Sequence, residues 1–226
     1  MALNERLQVI AGFVKNGADI CDVGTDHGYL PIFLRKNSIA GKIIATDINE
    51  KPLLNAQSNI LKEGIDDIDL RLCDGLSAVK KGEVDTVSIA GMGGEVISGI
   101  LSRAGWVKDK NITLILQPMT SPEILREYLF KNSFEITAEK PIIDGKKIYS
   151  IMVAKYCGNA IKYTIAEKHV GKITPDCEEG KAYILKQIKR FCNEAGSLQN
   201  IESEKEHYLL CKQIVLGLEQ RLNGED

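Results

Sequence analysis

The sequence predicts an α/β fold: a mostly parallel sheet covered by helices on both faces, with an antiparallel last strand and a helical C-terminal extension. Three observations predict it. Between Ala18 and Tyr156, short β-branched runs alternate with stretches of helical length and periodicity. The central runs are apolar on both faces, as strands buried between two helical layers must be. Beyond Gly158 such runs stop, and apolar residues recur at helical spacing through a polar background.

Leu3, Leu7, Ile10 and Val14 recur at helical spacing and predict an N-terminal helix that covers the sheet with one apolar stripe. The strands are read as ADICDV, KIIATDI, IDLRLCD, VDTVSIAG, ITLILQ, FEITAEKPII and IYSIMVAKY, and the helices between them as 29–36, 52–62, 95–102 and 122–131. Pro52 and Pro122 stand at helix starts, where a missing N–H costs nothing. Asp144-Gly145 is a hairpin signal, so the last two strands pair antiparallel. Ile184, Ile188, Phe191, Ala195 and Leu198, then Ile201, Tyr208, Cys211, Val215, Leu218 and Leu222, predict two helices packed as a short coiled-coil-like hairpin that turns at 195–200. The expected division is a sheet domain with its N-terminal helix over 1–158 and a helical extension over 159–226.

The 226 residues carry 29 Lys and Arg against 31 Asp and Glu, a net charge of −2, which argues against coating nucleic acid by bulk positive charge. The charge is uneven, however: residues 140–190 hold eleven basic side chains against five acidic ones. That flank is either a solvated face or a phosphate-contacting surface. Six cysteines without a CxxC pair and three histidines far apart in sequence point away from zinc and from a disulfide framework, so no metal is expected. Glu5 and Arg6 interrupt any signal-peptide pattern, and no run of about 18 apolar residues occurs. A cytoplasmic protein with no membrane association is expected.

The chemistry concentrates at strand ends. Asp22-Val-Gly-Thr-Asp-His-Gly-Tyr-Leu closes the first strand and opens a helix, with Gly24 and Gly28 letting the backbone approach a ligand. It is not the GxGxxG fingerprint, which with the final hairpin makes a nicotinamide dehydrogenase a poor reading. Asp47, at the tip of the second strand, is placed to accept hydrogen bonds from both ribose hydroxyls of a nucleoside. Asp74-Gly75 ends the third strand, as a plain turn or as an acceptor for an exocyclic amine. Ala90-Gly91-Met92-Gly93-Gly94 ends the fourth and leaves a floor nearly free of side chains; Met92 packs on a base or fills a gap. The fifth ends in Gln117-Pro118. All five lie at the carboxyl side of a parallel sheet, where open α/β folds bind ligands.

DVGTDHGYLP, ATDIN, CDGL, IAGMGG and LQP, in that order and spacing, resemble the class I S-adenosylmethionine-dependent methyltransferases, a Rossmann-like fold, and more closely the bacterial tRNA (adenine-22 N1)-methyltransferase family, along the whole chain. The resemblance implies S-adenosylmethionine as cofactor, tRNA as partner and transfer to N1 of an adenine in the D-arm region. It places Asp22, Gly24 and Gly28 at the methionine moiety, Asp47 at the ribose, Asp74 and Gly75 at the adenine, and Gly91, Met92, Gly93 and Gly94 along the methyl-transfer face, with Ile48 and Ala90 also expected at the cofactor. One departure stands out: Asp26 occupies the slot of the usual middle glycine. The fourth strand also lacks the (Asp/Asn)-Pro-Pro-aromatic sequence associated with exocyclic N6 methylation.

For the reaction, N1 of neutral adenine owns a lone pair, so no general base is obligatory, whereas the cationic product ring calls for a nearby acceptor. Asp26 (charge), His27 (orientation of the base) and Gln117 (amide pairing with adenine) are the candidate catalytic residues. For His27 the alternative is a turn histidine bonded to local backbone, and for Gln117 a cap on its strand. Tyr29, Gly94 and Pro118 are expected near the target base. Lys181, Lys186, Lys189 and Arg190 are expected on phosphates of the RNA, and the enzyme is expected to act as a monomer. The competing readings are a small-molecule methyltransferase of the same fold and a non-catalytic RNA-binding module.

Overall fold

The computed structural model describes residues 3–225. Helix α1 (Glu5–Phe13) leads into β1 (Ala18–Val23), α2 (Tyr29–Lys36), β2 (Ala40–Asp47), α3 (Glu50–Lys62), β3 (Ile68–Leu72), β4 (Thr86–Gly93), α4 (Gly94–Arg103), β5 (Thr113–Thr120), α5 (Pro122–Lys131), β6 (Phe134–Asp144) and β7 (Lys147–Tyr156). The strands form one sheet in the order β3-β2-β1-β4-β5-β7-β6, parallel except for β7, which runs antiparallel to both neighbours. After β3 the chain crosses to the far side of β1. Adjacent loops therefore diverge above β1 and β4 and leave a crevice there.

Alternate residues of each strand enter opposite layers, as the period of two requires. Ile20, Ile43, Ala45 and Ile115 pack on α1, α2 and α3. Cys21, Val23, Ile44, Val87, Leu114 and Leu116 pack on α4 and α5. Helix α3 begins at Glu50, two residues before Pro52, which still sits in the first turn where its N–H has no helical acceptor; Pro122 does open α5.

The extension departs from the predicted pattern in two respects. A short helix, α6 (Ile165–Val170), precedes the hairpin and is closed by a capping box in which the Thr164 side chain accepts from Glu167 N–H while the Glu167 carboxylate accepts from Thr164 N–H. The hairpin itself is α7 (Glu178–Leu198) and α8 (Lys205–Asn223), with the turn after Leu198 rather than at 195–200. Ala195 is buried, so the apolar seam carries the helix past that point. Ile201 lies in the turn and is exposed; Cys211, Val215 and Leu218 form the seam, joined by Ile214.

One buried ion pair ties this extension to the sheet. Arg126 of α5 and Glu139 of β6 have no exposed side-chain surface, and both Nε (3.1 Å) and Nη2 (2.6 Å) donate to Glu139 Oε1. The other donors reach the His169 carbonyl (2.7 Å), the Ser150 hydroxyl (3.2 Å) and the Tyr183 hydroxyl (3.0 Å). Removing one partner leaves an uncompensated buried charge. Glu139→Gln is expected to destabilise the protein by about 3 kcal/mol, and Arg126→Met combined with Glu139→Leu by less than that single change, as urea denaturation will measure.

Candidate active site

Two strand tips build the first part of the site. After β1 the chain turns through Gly24, Thr25 and Asp26 into Gly28, which caps α2. Asp26 has φ 51°, the left-handed region that glycine enters freely and Asp more readily than most residues. The departure from the usual middle glycine is thus absorbed by a residue that tolerates the required backbone. Asp26 N–H donates to Asp47 Oδ2 (3.3 Å), and Asp47 Oδ1 accepts from Asn49 N–H (2.9 Å), so the second-strand carboxylate is fixed from two sides. His27 stacks on Tyr29, with centroids 5.1 Å apart and planes 17° from parallel. Its Nε2 lies 3.5 Å from Asp26 Oδ2.

The floor comes from β4 and β5. Register slips around Met92, and Gly91 takes φ 82° in the resulting bulge. Gly91 N–H donates to Gln117 Oε1 (3.2 Å), which also accepts from Arg6 Nη1 (2.7 Å), while Gln117 Nε2 donates to the Pro118 carbonyl (2.9 Å). Gln117 is fully buried. Pairing with a target adenine is therefore not the work of this amide; it holds the Gly91 loop and Arg6 in place.

Two adjoining cavities open in the crevice, sharing Gly24, Asp26, Ala90 and Gly91. One, of about 330 Å³, presents Asp47, Asp74, Thr46 and Asn49 beside Ile48, Pro52 and Met92. Carboxylates beside apolar plates suit the hydroxyls and flat base of a nucleoside. The other, of about 370 Å³, is lined by Asn4, Arg6, Asp22, Thr25, His27 and Tyr29 among others. Its wall sets the Thr25 hydroxyl beside the Asp22 carboxyl and holds the Arg6 guanidinium, whose Nε lies 3.6 Å from Asp144 Oδ2. A Cβ at Gly24 would run into the end of Met92, so the backbone is bare at the junction of the two cavities.

The other predicted residues fall elsewhere. Gly28 packs on Ala56, Gly93 on Thr120, and Gly94 against the Ser121 carbonyl; none lines either cavity. Pro118, Lys186 and Arg190 line a third groove, and Lys181 and Lys189 are exposed on α7 outside it. Arg6 was missed by sequence reasoning, although a charge at the Leu3-Arg6-Ile10 spacing of an otherwise apolar stripe is a visible signal. The hairpin also brings Glu194, His207 and Cys211 together, their ligand atoms all within 4.8 Å, which their sequence separation concealed; His207 Nε2 pairs with Glu194 Oε1 at 2.9 Å.

A sequence profile described as a methyltransferase domain matches residues 3–152. The chain belongs to the methyltransferase-domain family. The Bacillus subtilis tRNA (adenine(22)-N(1))-methyltransferase is 40% identical over 159 residues, 69% of this chain and 66% of that protein. The crystal structure of the B. subtilis m1A22 tRNA methyltransferase TrmK superposes with a TM-score of 0.82 at 28% identity, covering 95% of this chain and 99% of that one. M. capricolum TrmK, in complex with S-adenosyl-homocysteine, gives 0.82 at 27% identity and 97% of both chains. The family resemblance drawn from the motifs is borne out. Because these structures match nearly the whole length, the chain shares with them the helices that follow residue 152 as well.

Burial pushes the Asp22 carboxyl up to about 6, against the opposing pull of the Thr25 and Ser88 hydroxyls and of Arg6. The folded protein then holds this proton more tightly than the unfolded chain between about pH 4 and 6, so stability falls as pH rises through that window. Asp22→Asn is expected to abolish the decline and to leave the variant about 2–3 kcal/mol more stable than its parent at pH 7. Urea denaturation at pH 4 and pH 7 will measure it.

Proposed function

We propose that this protein transfers the methyl group of S-adenosylmethionine to N1 of adenine 22 in tRNA, acting as a monomer. The observation that carries the reading is the pair of cavities joined at Gly24 and Gly91, in a chain similar over nearly its full length to enzymes of that name. The cavity with Asp47 and Asp74 would hold the cofactor nucleoside, and its neighbour the methionine end and the incoming base. When bound, the cofactor supplies an electrophilic methyl group, so the protein's share is to orient N1, exclude water and accommodate the charge.

Asp26 stands at the mouth of both cavities with its side chain 65% exposed. Its carboxylate lies where positive charge spreads over the adenine ring as N1 is alkylated, and attraction there lowers the barrier. The His27–Tyr29 stack offers a flat face against which an unstacked base can lie, a recurrent mode of RNA recognition. Gln117 serves through Gly91 and Arg6 as a positioning residue. The sheet domain over 1–158 would carry the chemistry, and the extension over 159–226 the grip on RNA. Among the described residues no helix is long and apolar enough to cross a membrane.

Transcripts carrying adenine or guanine at position 22 test the reading directly. Transfer from radiolabelled S-adenosylmethionine is expected only to the first, with a reverse-transcription stop at position 22 marking N1. Transfer to both, or to neither while cofactor binding is intact, would overturn it. Asp26→Asn is expected to lower kcat by about 10- to 100-fold with cofactor affinity within about threefold, read from single-turnover methylation and equilibrium titration.

A further inference from the structure

A third groove, of about 270 Å³, lies between the β5–α5 turn and α7 and is continuous with the reaction cavity, because Met119 lines both. Its walls are Pro118, Ser121 and Pro122 on one side, Tyr149 below, and Lys186, Gln187 and Arg190 on the other. We propose that this groove seats one nucleotide of the substrate RNA next to the target adenine, with its phosphate on Lys186 and Arg190 and its base edge on Gln187. This rests on the proposed methyltransferase reading for the identity of the RNA; the chemistry of the groove is independent of it.

Gln187 is the decisive residue. The residue is 5% exposed, its amide makes no hydrogen bond within the protein, and the amide atoms are open to the groove rather than sealed in. A largely buried amide whose polar atoms reach only a groove keeps its donor and its acceptor for what enters there. It is neither paired nor replaced by an apolar residue, and it faces a groove. An amide presents a donor and an acceptor side by side, the complement of a nucleobase edge rather than of a bare phosphate.

The cations around it are under-compensated. Lys186 Nζ donates to the Ile148 carbonyl (3.0 Å), which leaves further ammonium donors for an anion. Burial and the charges of Arg190 and Lys147 hold this lysine below its ordinary pKa. Only Glu123 opposes them in the groove, 3.0 Å from Arg190 Nη2. Two cations, Lys186 and Arg190, against one carboxylate make the wall a receptor for negative charge, and an RNA strand whose target base enters the first cavity passes over Met119 directly onto it. An acidic protein segment would meet the cations too, but it would make no use of an amide paired for a base edge or of the continuity with the cavity.

Binding of unmodified tRNA to the full-length protein saturated with S-adenosylhomocysteine, measured from 50 to 300 mM salt, tests the assignment. Lys186→Gln is expected to flatten the slope of log affinity against log salt by about 0.7–0.9, one phosphate contact, and Lys186→Arg to restore it. Gln187→Leu is expected to weaken binding by about tenfold with the slope unchanged. Glu123→Gln frees Arg190 and is expected to strengthen binding by a few-fold, a direction that misfolding cannot imitate. Parental affinity and slope in Lys186→Gln and Gln187→Leu would overturn the groove assignment while leaving the methyltransferase reading in place, provided the parent methylates adenine 22. A parent that binds cofactor but no tRNA would overturn both.

Discussion

The pairing of Arg126 with Glu139 is the constraint on which the arrangement of the site depends. A guanidinium cannot shed its proton to escape burial, so its presence in the interior demands a counter-charge and acceptors for every donor. Glu139 supplies the charge, and the remaining donors find acceptors on α6, β7 and α7. Meeting all of these at once fixes how the helical extension lies against the sheet. The orientation of α7 follows, and with it the placement of Lys186, Gln187 and Arg190 opposite the β5–α5 turn. A pair of this kind adds little net stability over an apolar replacement; what it supplies is a single geometry.

Gln117 plays the corresponding part inside the crevice. Its one amide oxygen gathers the N-terminal helix through Arg6 and the β4 bulge through Gly91, and its nitrogen binds the backbone of its own strand. The bare floor at Gly91 is thereby held without side-chain bulk, while Arg6 is kept at the cavity wall, its Nε 3.6 Å from Asp144 of the β6–β7 hairpin. Two polar anchors, Gln117 in the crevice and Arg126 against the extension, so set the walls of the crevice cavity and of the groove beside it.

Strand tips were legible in the sequence because β-branched runs end abruptly at Asp22, Asp47, Asp74 and Gly91, and the strand period carries no ambiguity of face there. The resemblance then attached roles to those tips. Side chains whose role depends on long-range partners were not legible. Gln117 reads as a strand-end amide until Arg6, 111 residues away, is seen to bind it. Gln187 reads as a polar residue on an amphipathic helix until burial shows its face. Helix α6 was in principle visible, since Thr164-x-x-Glu167 is a capping-box signature, but six residues are too few for periodicity to announce a helix. The hairpin turn was placed early, at 195–200, whereas packing of the buried Ala195 carries α7 on to Leu198.

The near-zero net charge conceals a division of labour by sign. Asp22, Asp26, Asp47 and Asp74 surround the two joined cavities, and Asp22 is ionised at neutral pH although burial raises it. Such a field favours a cationic sulfonium and the cation formed on alkylated adenine, and it repels phosphate. An RNA strand can deliver a base to this site only if its backbone is held off the acidic walls. The basic face of α7 can supply that hold across Met119, where the acidic cavity ends and the groove with Lys186 and Arg190 begins. Attraction for the backbone and attraction for the charged reaction centre require opposite signs within one short stretch of surface, which a uniformly basic protein could not provide.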